Sequence, residues 1–273
     1  MIKPMGKLTL KQSLERLDWS MQLFSVQNLH KTANEIKKMK KEIQDKKNPV
    51  TLDYFFKVLQ TTFVVEYNST PHRIQCSNFF KKRYNAVKKI NIKGLNKRTL
   101  NKNWLDSMNQ RATARKAIST LDGILIKGMK SDSEKAIGIS YDYLAHIDGM
   151  YGKDLKDVVI YDMLSNMESV NFNKIKKMGI QDIQCYFDGI RGSSCLFEGY
   201  NADIRNSIAH SSFWYDEKKK KIIFEERRKN HTHEKTLDDL FEMKEKLSDI
   251  EDLVFCYNEI QTIDKVVSDL IRI

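Results

Sequence analysis

The segment TLDDLFEMKEKLSDIEDLVFCYNEI, residues 236–260, carries the clearest helix signal in this chain. Its apolar side chains recur every three or four positions, at Leu240, Met243, Leu247, Ile250, Val254 and Tyr257. Thr236 and Asp239 have the spacing of a capping box, in which each side chain accepts a hydrogen bond from the other residue's backbone N–H. The pattern therefore predicts a long C-terminal helix over residues 237–271, about 50 Å long if it is unbroken.

A short alternating pattern precedes this helix. Apolar side chains two positions apart flank a polar run at 218–221, with Phe213 and Tyr215 before it and Ile222 and Phe224 after it. This spacing predicts a β-hairpin over residues 212–226. The stretch His231-Thr232-His233 lies in a polar context and is predicted to be a solvated loop.

The rest of the chain indicates helices. Proline occurs only at Pro4, Pro49 and Pro71, and lysine, glutamate, leucine and methionine are abundant, which favours helix over strand. Helices joined by glycine turns are predicted at 131–150, 154–169 and 180–190, and a further helix from Tyr200 to Ser211. The predicted fold class is all-α: a helical bundle with one β-hairpin inserted after this last helix.

Composition and charge bound the classes of function. The chain has 273 residues and is 41% hydrophobic, so it can bury a core, which excludes wholesale disorder. Its formal net charge of +11 favours a polyanionic partner such as nucleic acid. No uncharged apolar run approaches the ~18 residues of a membrane-spanning helix, and the first residues lack the apolar core of a signal peptide. We expect a cytoplasmic protein with no membrane partner.

The sequence offers no strong metal or cofactor motif. Its four cysteines are scattered without a CxxC pair, which argues against a disulfide framework and a zinc knuckle. Asp142 and His146 are four residues apart and resemble half of a metal site, but no third ligand is spaced to complete it. They are predicted to be an ordinary pair on a helix surface. Glycine-rich phosphate-binding loops are lacking as well, so we expect no metal and no cofactor.

One segment combines groups suited to chemistry on a phosphate: Arg205-Asn206-Ser207-Ile208-Ala209-His210. On a helix capped by Asn201 or Asp203, the side predicted to face the core holds Ile204, Ser207, Ile208 and Ser211. Asn206 and His210 project to the opposite side, with Arg205 at the flank. A histidine can shuttle protons near neutral pH, and an arginine can bind a phosphate bidentately.

Spacing alone leaves a plain structural interpretation open. Arg-x4-His is a weak pattern, and Arg228 and His233 match it a second time in the stretch predicted to be a loop. Arg205 and His210 are therefore also compatible with an incidental placement on a structural helix.

The motif and its surroundings resemble a known family. Arg205-Asn206-x3-His210, followed by Ser-Ser-Phe-Trp-Tyr-Asp, a basic hairpin and a long terminal helix, is similar to the HEPN superfamily, in particular its bacterial abortive-infection and toxin branch. The family pattern is Arg-x(4 to 6)-His with a polar residue, often Asn, directly after the arginine. The resemblance implies a HEPN-like helical domain over residues 116–273. Residues 1–115 match no known family and are predicted, from their own sequence pattern, to be an N-terminal helical region of unknown role.

The resemblance also implies an activity: a homodimeric, metal-independent endoribonuclease whose two motifs share one cleft. His210 is expected to be the general base on a ribose 2′-hydroxyl, giving a 2′,3′-cyclic phosphate and a 5′-hydroxyl. Arg205 is expected to stabilise charge on the phosphoryl oxygens, and Asn206 to orient the imidazole or the phosphate. The expected setting is an anti-phage or toxin-type effector that a neutralising antitoxin or regulatory partner holds in check.

Two other classes of protein remain open. One is a HEPN-like protein that binds RNA or nucleotide without cutting it, and the other is a helical DNA-binding or protein-interaction module. Binding to duplex DNA as strong as to RNA, without cleavage of either, would favour the second.

Basic residues near the motif are predicted to contact RNA phosphates, at Lys218, Lys219, Lys220, Lys221, Arg227 and Arg228. A solvated turn is the alternative interpretation of the four lysines. The aromatic residues Phe213, Trp214 and Tyr215 either stack on bases or pack on the domain.

Overall fold

The computed structural model describes residues 10–26, 28–45, 49–89, 128–226 and 230–271. These residues are mostly helical and contain one small antiparallel sheet of three strands. The prediction of a helical fold with a β-hairpin is confirmed at this level. Among the described helices, none has both the length and the apolar character needed to cross a membrane.

The chain divides into two compact units. One contains the described residues up to Lys81 together with those from Asp252 onward, and the other runs from Lys82 to Glu251. The predicted boundary between residues 115 and 116 falls in the segment 90–127, which lies outside the described residues. That boundary stays a prediction.

The first unit is helical. It is built from α1 (Leu10–Val26), α2 (His30–Gln44), α3 (Pro49–Tyr67), the start of α4 (Pro71–Lys89) and the end of the C-terminal helix. Phe63 and Tyr257 pack edge to face in its core, with ring centroids 5.5 Å apart. The buried Glu259 accepts a hydrogen bond from Arg16 Nη2 at 2.7 Å, so a charge pair accompanies the apolar packing.

The second unit holds the predicted motif. Its α-helices are α5 (Asp132–His146), α6 (Gly152–Ser165), α7 (Phe172–Lys177), α8 (Ile180–Phe187) and α9 (Ala202–Ala209). A π-helix lies at Ile147–Tyr151 and a 3-10 helix at Ser193–Phe197. The strands are β1 (Phe213–Asp216), β2 (Lys221–Glu226) and β3 (His231–Lys235), and α10 (Leu237–Ile271) begins in this unit. The range of α10 matches the helix that the sequence pattern predicts.

The chain continues from α5 into α6 without a turn, so the predicted glycine turn between two separate helices is wrong. The π-helix joins them, and Gly152 has ordinary helical dihedral angles, φ −61° and ψ −28°. A glycine accepts helical geometry at a modest entropic cost, and its presence does not require a break. The wider π turn shifts the helical phase, and Tyr143 on α5 and Leu155 on α6 are both fully buried.

β2 is the central strand and pairs antiparallel with β1 and with β3. In the predicted hairpin, Phe213 lies opposite Phe224. The prediction of a solvated loop at residues 231–233 is wrong, because this stretch is part of β3 and His233 pairs with Phe224. Backbone hydrogen bonds to β2 form this strand, and its polar side chains gave no apolar alternation to reveal it.

The start of α10 is fixed by its cap and by a close neighbour. The Thr236 N–H donates to Asp239 Oδ2 at 2.9 Å and the Asp239 N–H donates to Thr236 Oγ1 at 3.0 Å, which is the predicted capping box. Gly199 lies against the next turns: a Cβ there would be 2.5 Å from the Met243 carbonyl oxygen and 3.0 Å from Leu247 N. Only glycine lets the segment before α9 approach α10 this closely.

Candidate active site

The motif helix α9 begins at Asn201. Of the two predicted caps, Asn201 is the one that serves, because its Oδ1 accepts a hydrogen bond from the Ile204 N–H at 2.9 Å. The helix ends at Ala209, His210 is its C-cap, and Ser211 takes a left-handed φ of +53°. The motif therefore straddles the end of a short helix.

The predicted core side of this helix is largely confirmed. Ile204, Ser207 and Ile208 are buried. Ser211, also predicted to face the core, is exposed because the chain leaves the helix before reaching it. The Ser207 hydroxyl donates to the Glu225 carbonyl oxygen at 2.9 Å and so attaches α9 to β2.

Tyrosine hydroxyls from α5 and the π-helix fix the segment that leads into α9. The Tyr143 hydroxyl donates to the Gly199 carbonyl oxygen at 2.8 Å and accepts from the Asn201 N–H at 3.1 Å. The Tyr151 hydroxyl donates to the Leu196 carbonyl oxygen at 2.6 Å. Burial raises the pKa of Tyr143, so its hydroxyl stays neutral and keeps its donor function.

Two neighbours hold Arg205 in one orientation. Its Nε and Nη2 donate to the Asp148 carboxylate at 3.2 and 2.9 Å, and its Nη1 donates to Asn206 Oδ1 at 3.1 Å. The ion pair remains open to solvent, with side-chain exposures of 32% for Arg205 and 48% for Asp148. Nη2 also donates to Asp148 Oδ1 at 3.0 Å, so these two partners take four of the five N–H groups and Arg205 keeps donor capacity at Nη1.

The structure places the exposed His210 at the end of the same helix. Its backbone N–H donates to the Asn206 carbonyl oxygen at 3.0 Å. Within the described residues, the Asn206 side chain bonds to Arg205 and not to the imidazole. The structure thus brings Arg205 and Asn206 into direct contact and leaves the His210 ring at the surface.

Residues of α5 and the π-helix complete the surroundings of the motif. The Tyr141 hydroxyl lies 3.3 Å from Ser211 Oγ, beside His210, and Asp148 contacts Arg205 near the start of α9. We call this surface the α5–α9 strip, consisting of Tyr141, Asp148, Arg205, Asn206, His210 and Ser211. Sequence reasoning missed Tyr141 and Asp148. These residues precede their partners by 70 and 57 positions, and no local spacing links them.

The predicted RNA-binding lysines form the hairpin turn. Lys218, Lys219 and Lys220 are exposed, and Lys221 begins β2. Glu234 on β3 pairs with Lys219 at 2.7 Å and with Lys221 at 3.0 Å. These contacts lower the pKa of Glu234, which keeps the carboxylate charged. Half of the predicted lysine cluster therefore already has an acidic partner.

The other predicted phosphate contacts, Arg227 and Arg228, lie outside the described residues. Counted along the sequence, the described residues carry slightly more acidic than basic side chains. The positive net charge therefore comes from the remaining segments, above all residues 90–127 and 227–229. Electrostatic attraction of a polyanion depends on those segments more than on the hairpin lysines.

The aromatic residues of β1 divide into packed and exposed ones. The Phe213 ring stacks on Phe224 at 5.9 Å and meets the Tyr141 ring edge to face at 5.8 Å. Phe213 therefore packs on the domain. Trp214 is 50% exposed and Tyr215 is partly buried.

The predicted surface pair on α5 is wrong, because Asp142 and His146 are both buried. His146 Nδ1 lies 3.0 Å from Glu251 Oε2, and Lys244 Nζ lies 3.1 Å from Asp142 Oδ2. Burial alone would lower the pKa of His146, but the hydrogen bond and charge of Glu251, with Asp142, raise it overall. The four residues form a structural charge cluster, with the lysine beside the carboxylate of Asp142.

A second acid–histidine contact lies on the other side of α9. His233 Nε2 is 3.2 Å from Asp203 Oδ2, and the rings of His231 and His233 meet at 4.6 Å. No group of three or more His, Cys, Asp or Glu side chains in the described ranges is arranged to hold a metal ion. Protein-family models, curated proteins and solved structures gave no match to this chain.

Proposed function

We propose that the chain is a cytoplasmic, metal-independent endoribonuclease whose active site is the α5–α9 strip. The observation that carries the proposal is the state of Arg205, whose guanidinium is oriented by Asp148 and Asn206, open to solvent, and on the same short helix that ends at the exposed His210. An oriented guanidinium suits a phosphoryl group, and an exposed imidazole suits proton transfer. The HEPN-like motif supports the same reaction.

In the proposed reaction, His210 accepts the proton of a ribose 2′-hydroxyl and the 2′-oxygen attacks the adjacent phosphorus. The bond from phosphorus to the 5′-oxygen breaks, an acid protonates that oxygen, and the products are a 2′,3′-cyclic phosphate and a 5′-hydroxyl. Arg205 donates from Nη1 to a phosphoryl oxygen while Asp148 holds the Nε–Nη2 edge. Asn206 orients the guanidinium. Acid–base catalysis of this kind is typically worth ~10² to 10⁴ in rate.

We propose a homodimer in which two motifs share one cleft within a helical bundle. Side chains five residues apart on a helix diverge by ~140°, so one chain presents Arg205 and His210 in different directions. A two-fold axis beside His210 would supply a second imidazole as the acid. Mixed dimers with one wild-type and one His210→Ala chain should then fall far below half the wild-type rate. Half the rate would place the site within one chain.

The HEPN-like resemblance alone carries the biological setting. It suggests a toxin-type effector of anti-phage defence, held in check by an antitoxin or another regulatory partner.

One observation favours a second candidate, an RNA-binding protein that does not cut. Asp148 already neutralises Arg205 at the centre of the strip. A guanidinium that must stay paired to this acid contributes less to a developing phosphoryl charge than an unpaired one. Binding without cleavage would then be the whole activity of the strip.

The decisive experiment compares a defined single-stranded RNA with its all-2′-deoxy counterpart in the presence of EDTA. We expect cleavage of the RNA only, with a cyclic phosphate at the new 3′ end, because the attacking oxygen is absent from the deoxy strand. His210→Ala should abolish cleavage and retain binding, and His231→Ala is the matched control. Binding of both strands without cleavage would support the second candidate, and activity that requires added Mg²⁺ would contradict the proposed mechanism.

A further inference from the structure

Tyr141 is a surface tyrosine in an unusual setting. Its side chain is 43% exposed on α5. It points neither into the core nor freely into solvent. Its hydroxyl lies 3.3 Å from Ser211 Oγ, and its ring packs edge to face with the Phe213 ring at 5.8 Å, with the planes 74° apart.

These contacts fix the ring in place. Phe213 is itself backed by Phe224, which is fully buried in the central strand. Tyr141 is therefore the outermost ring of an aromatic row that runs from β2 through β1 to the surface. Because the Tyr141 ring already contacts Phe213 and its hydroxyl already contacts Ser211, the side chain loses little conformational entropy when a flat ligand stacks on it.

The Tyr141 ring lies close to residues that adjoin or contact the proposed catalytic residues His210 and Arg205. Ser211, its hydroxyl partner, directly follows His210, and Asp148, the partner of Arg205, lies seven residues after Tyr141. At 1.5 Å of rise per helical residue, Tyr141 and Asp148 are separated by roughly 10 Å along the helix axis. A base resting on Tyr141 would therefore have its ribose on the side of His210 and a phosphate on the side of Arg205.

We propose that Tyr141 is the stacking platform for an unpaired nucleobase, that of the nucleotide whose 2′-hydroxyl faces His210. This inference rests on the proposed function and gives the substrate its class: single-stranded RNA, since a base inside a duplex has no free face to offer. Base–aromatic stacking accepts every base, so Tyr141 selects strandedness and not sequence.

Binding to a single strand that cannot be cut tests the platform apart from catalysis. The probe is a labelled all-2′-deoxy oligonucleotide, and the variants are Tyr141→Leu, Tyr141→Phe and Tyr141→Trp. We expect Tyr141→Leu to weaken binding about tenfold, within the range measured for removal of one aromatic stacking partner. Tyr141→Phe and Tyr141→Trp should bind as wild type does, because they keep the ring. The matched control is Tyr54→Leu, a 63% exposed tyrosine of the first unit, which should bind normally.

A duplex of the same sequence supplies the second arm. The inference predicts no difference between wild type and Tyr141→Leu on the duplex, since its bases are already stacked. It is overturned if Tyr141→Leu binds the single strand as tightly as wild type, or if Tyr141→Phe loses as much affinity as Tyr141→Leu. It is also overturned if Tyr141→Leu changes the sedimentation of the free protein while leaving binding intact, because the ring then belongs to an interface between copies.

The two proposals fail separately. A wild-type protein that binds single strands through Tyr141 but never cuts RNA supports the platform and removes the ribonuclease. A protein that cuts RNA equally well with and without the ring removes the platform alone.

Discussion

Two acidic residues on the continuous helix formed by α5 and the π-helix lie in contrasting environments. Asp142 is buried close to His146 and Glu251 and pairs with the partly buried Lys244, and its side chain is 1% exposed. Asp148, six residues further on, pairs with Arg205 while 48% of its side chain remains exposed. Each aspartate pairs with a basic residue of a distant element, Asp142 with Lys244 and Asp148 with Arg205. The two pairs differ in how far they are exposed to solvent.

This difference decides what each contact can do. Charges withdrawn from water must remain paired, because removing one partner leaves the other without solvation. Charges at the surface exchange partners at little cost, so a phosphate can compete for Arg205. The buried cluster therefore serves the fold, and the solvent-open pair is the one suited to a ligand.

The largest expected effect tests this contrast directly. Glu251→Gln should lower the free energy of unfolding by about 3 kcal/mol, because it removes the carboxylate that pairs with the buried His146. Asp148→Asn should cost less than about 1 kcal/mol, since the pair it breaks is partly exposed. Urea denaturation of both variants at neutral pH measures the difference. Equal decreases in the free energy of unfolding of the two variants would contradict the proposed difference between the buried and the exposed pair.

A second large effect concerns Gly199, which lets the segment before the motif helix α9 pack closely against α10. Gly199→Ala should destabilise the protein by about 3 kcal/mol, because the added Cβ would meet backbone atoms of α10 that cannot move aside. The displaced segment leads directly into α9, so RNA cleavage should fall as well. Gly128→Ala is the matched control, since a Cβ there meets nothing within 4 Å and should leave stability nearly unchanged. Thermal unfolding of both variants gives the answer.

The buried cluster also predicts a pH dependence of stability. The folded-state pKa of His146 is raised, so its contribution is complete below the unfolded-state value of about 6.5 and disappears as pH rises through the folded-state value. Glu251, Asp142 and Lys244 are the charged groups that face it. As pH rises above 6.5, wild type should therefore lose stability that His146→Gln does not lose. Parallel stability curves for the two proteins would contradict this.

The smallest expected effect lies at the hairpin. Lys218→Ser with Lys220→Ser should reduce the log–log salt slope of single-strand binding by up to roughly 1.4, at about 0.7 for each phosphate that a lysine no longer neutralises. Lys219→Ser with Lys221→Ser should change it less, because Glu234 already pairs with both lysines. If neither double variant alters the slope, the hairpin is a solvated turn.

The parts of the fold that the sequence revealed are those with local periodicity. The helix Leu237–Ile271 and the strands around residues 213–224 repeat their apolar residues at fixed intervals. β3 escaped prediction because it alternates polar residues, and Asp148 and Tyr141 escaped because their partners are far away in the chain. The residues of the motif could be identified from the sequence, but the contacts that orient their side chains depend on tertiary packing.

The π-helix Ile147–Tyr151 has a consequence for how this chain tolerates insertions and deletions. A π turn contains about one residue more than an α turn. The π-helix therefore acts as a one-residue insertion that is accommodated between α5 and α6. Deleting Gly149 would restore a plain α-helix and leave α6 in nearly the same rotational phase relative to α5, because four α-helical residues at ~100° each turn the chain about as far as five residues of a π-helix. The buried face that includes Leu155 and Val158 would keep facing the core. We therefore expect a one-residue deletion within Ile147–Tyr151 to be tolerated better than one within α5 or α6, which would rotate the following turns by about 100°.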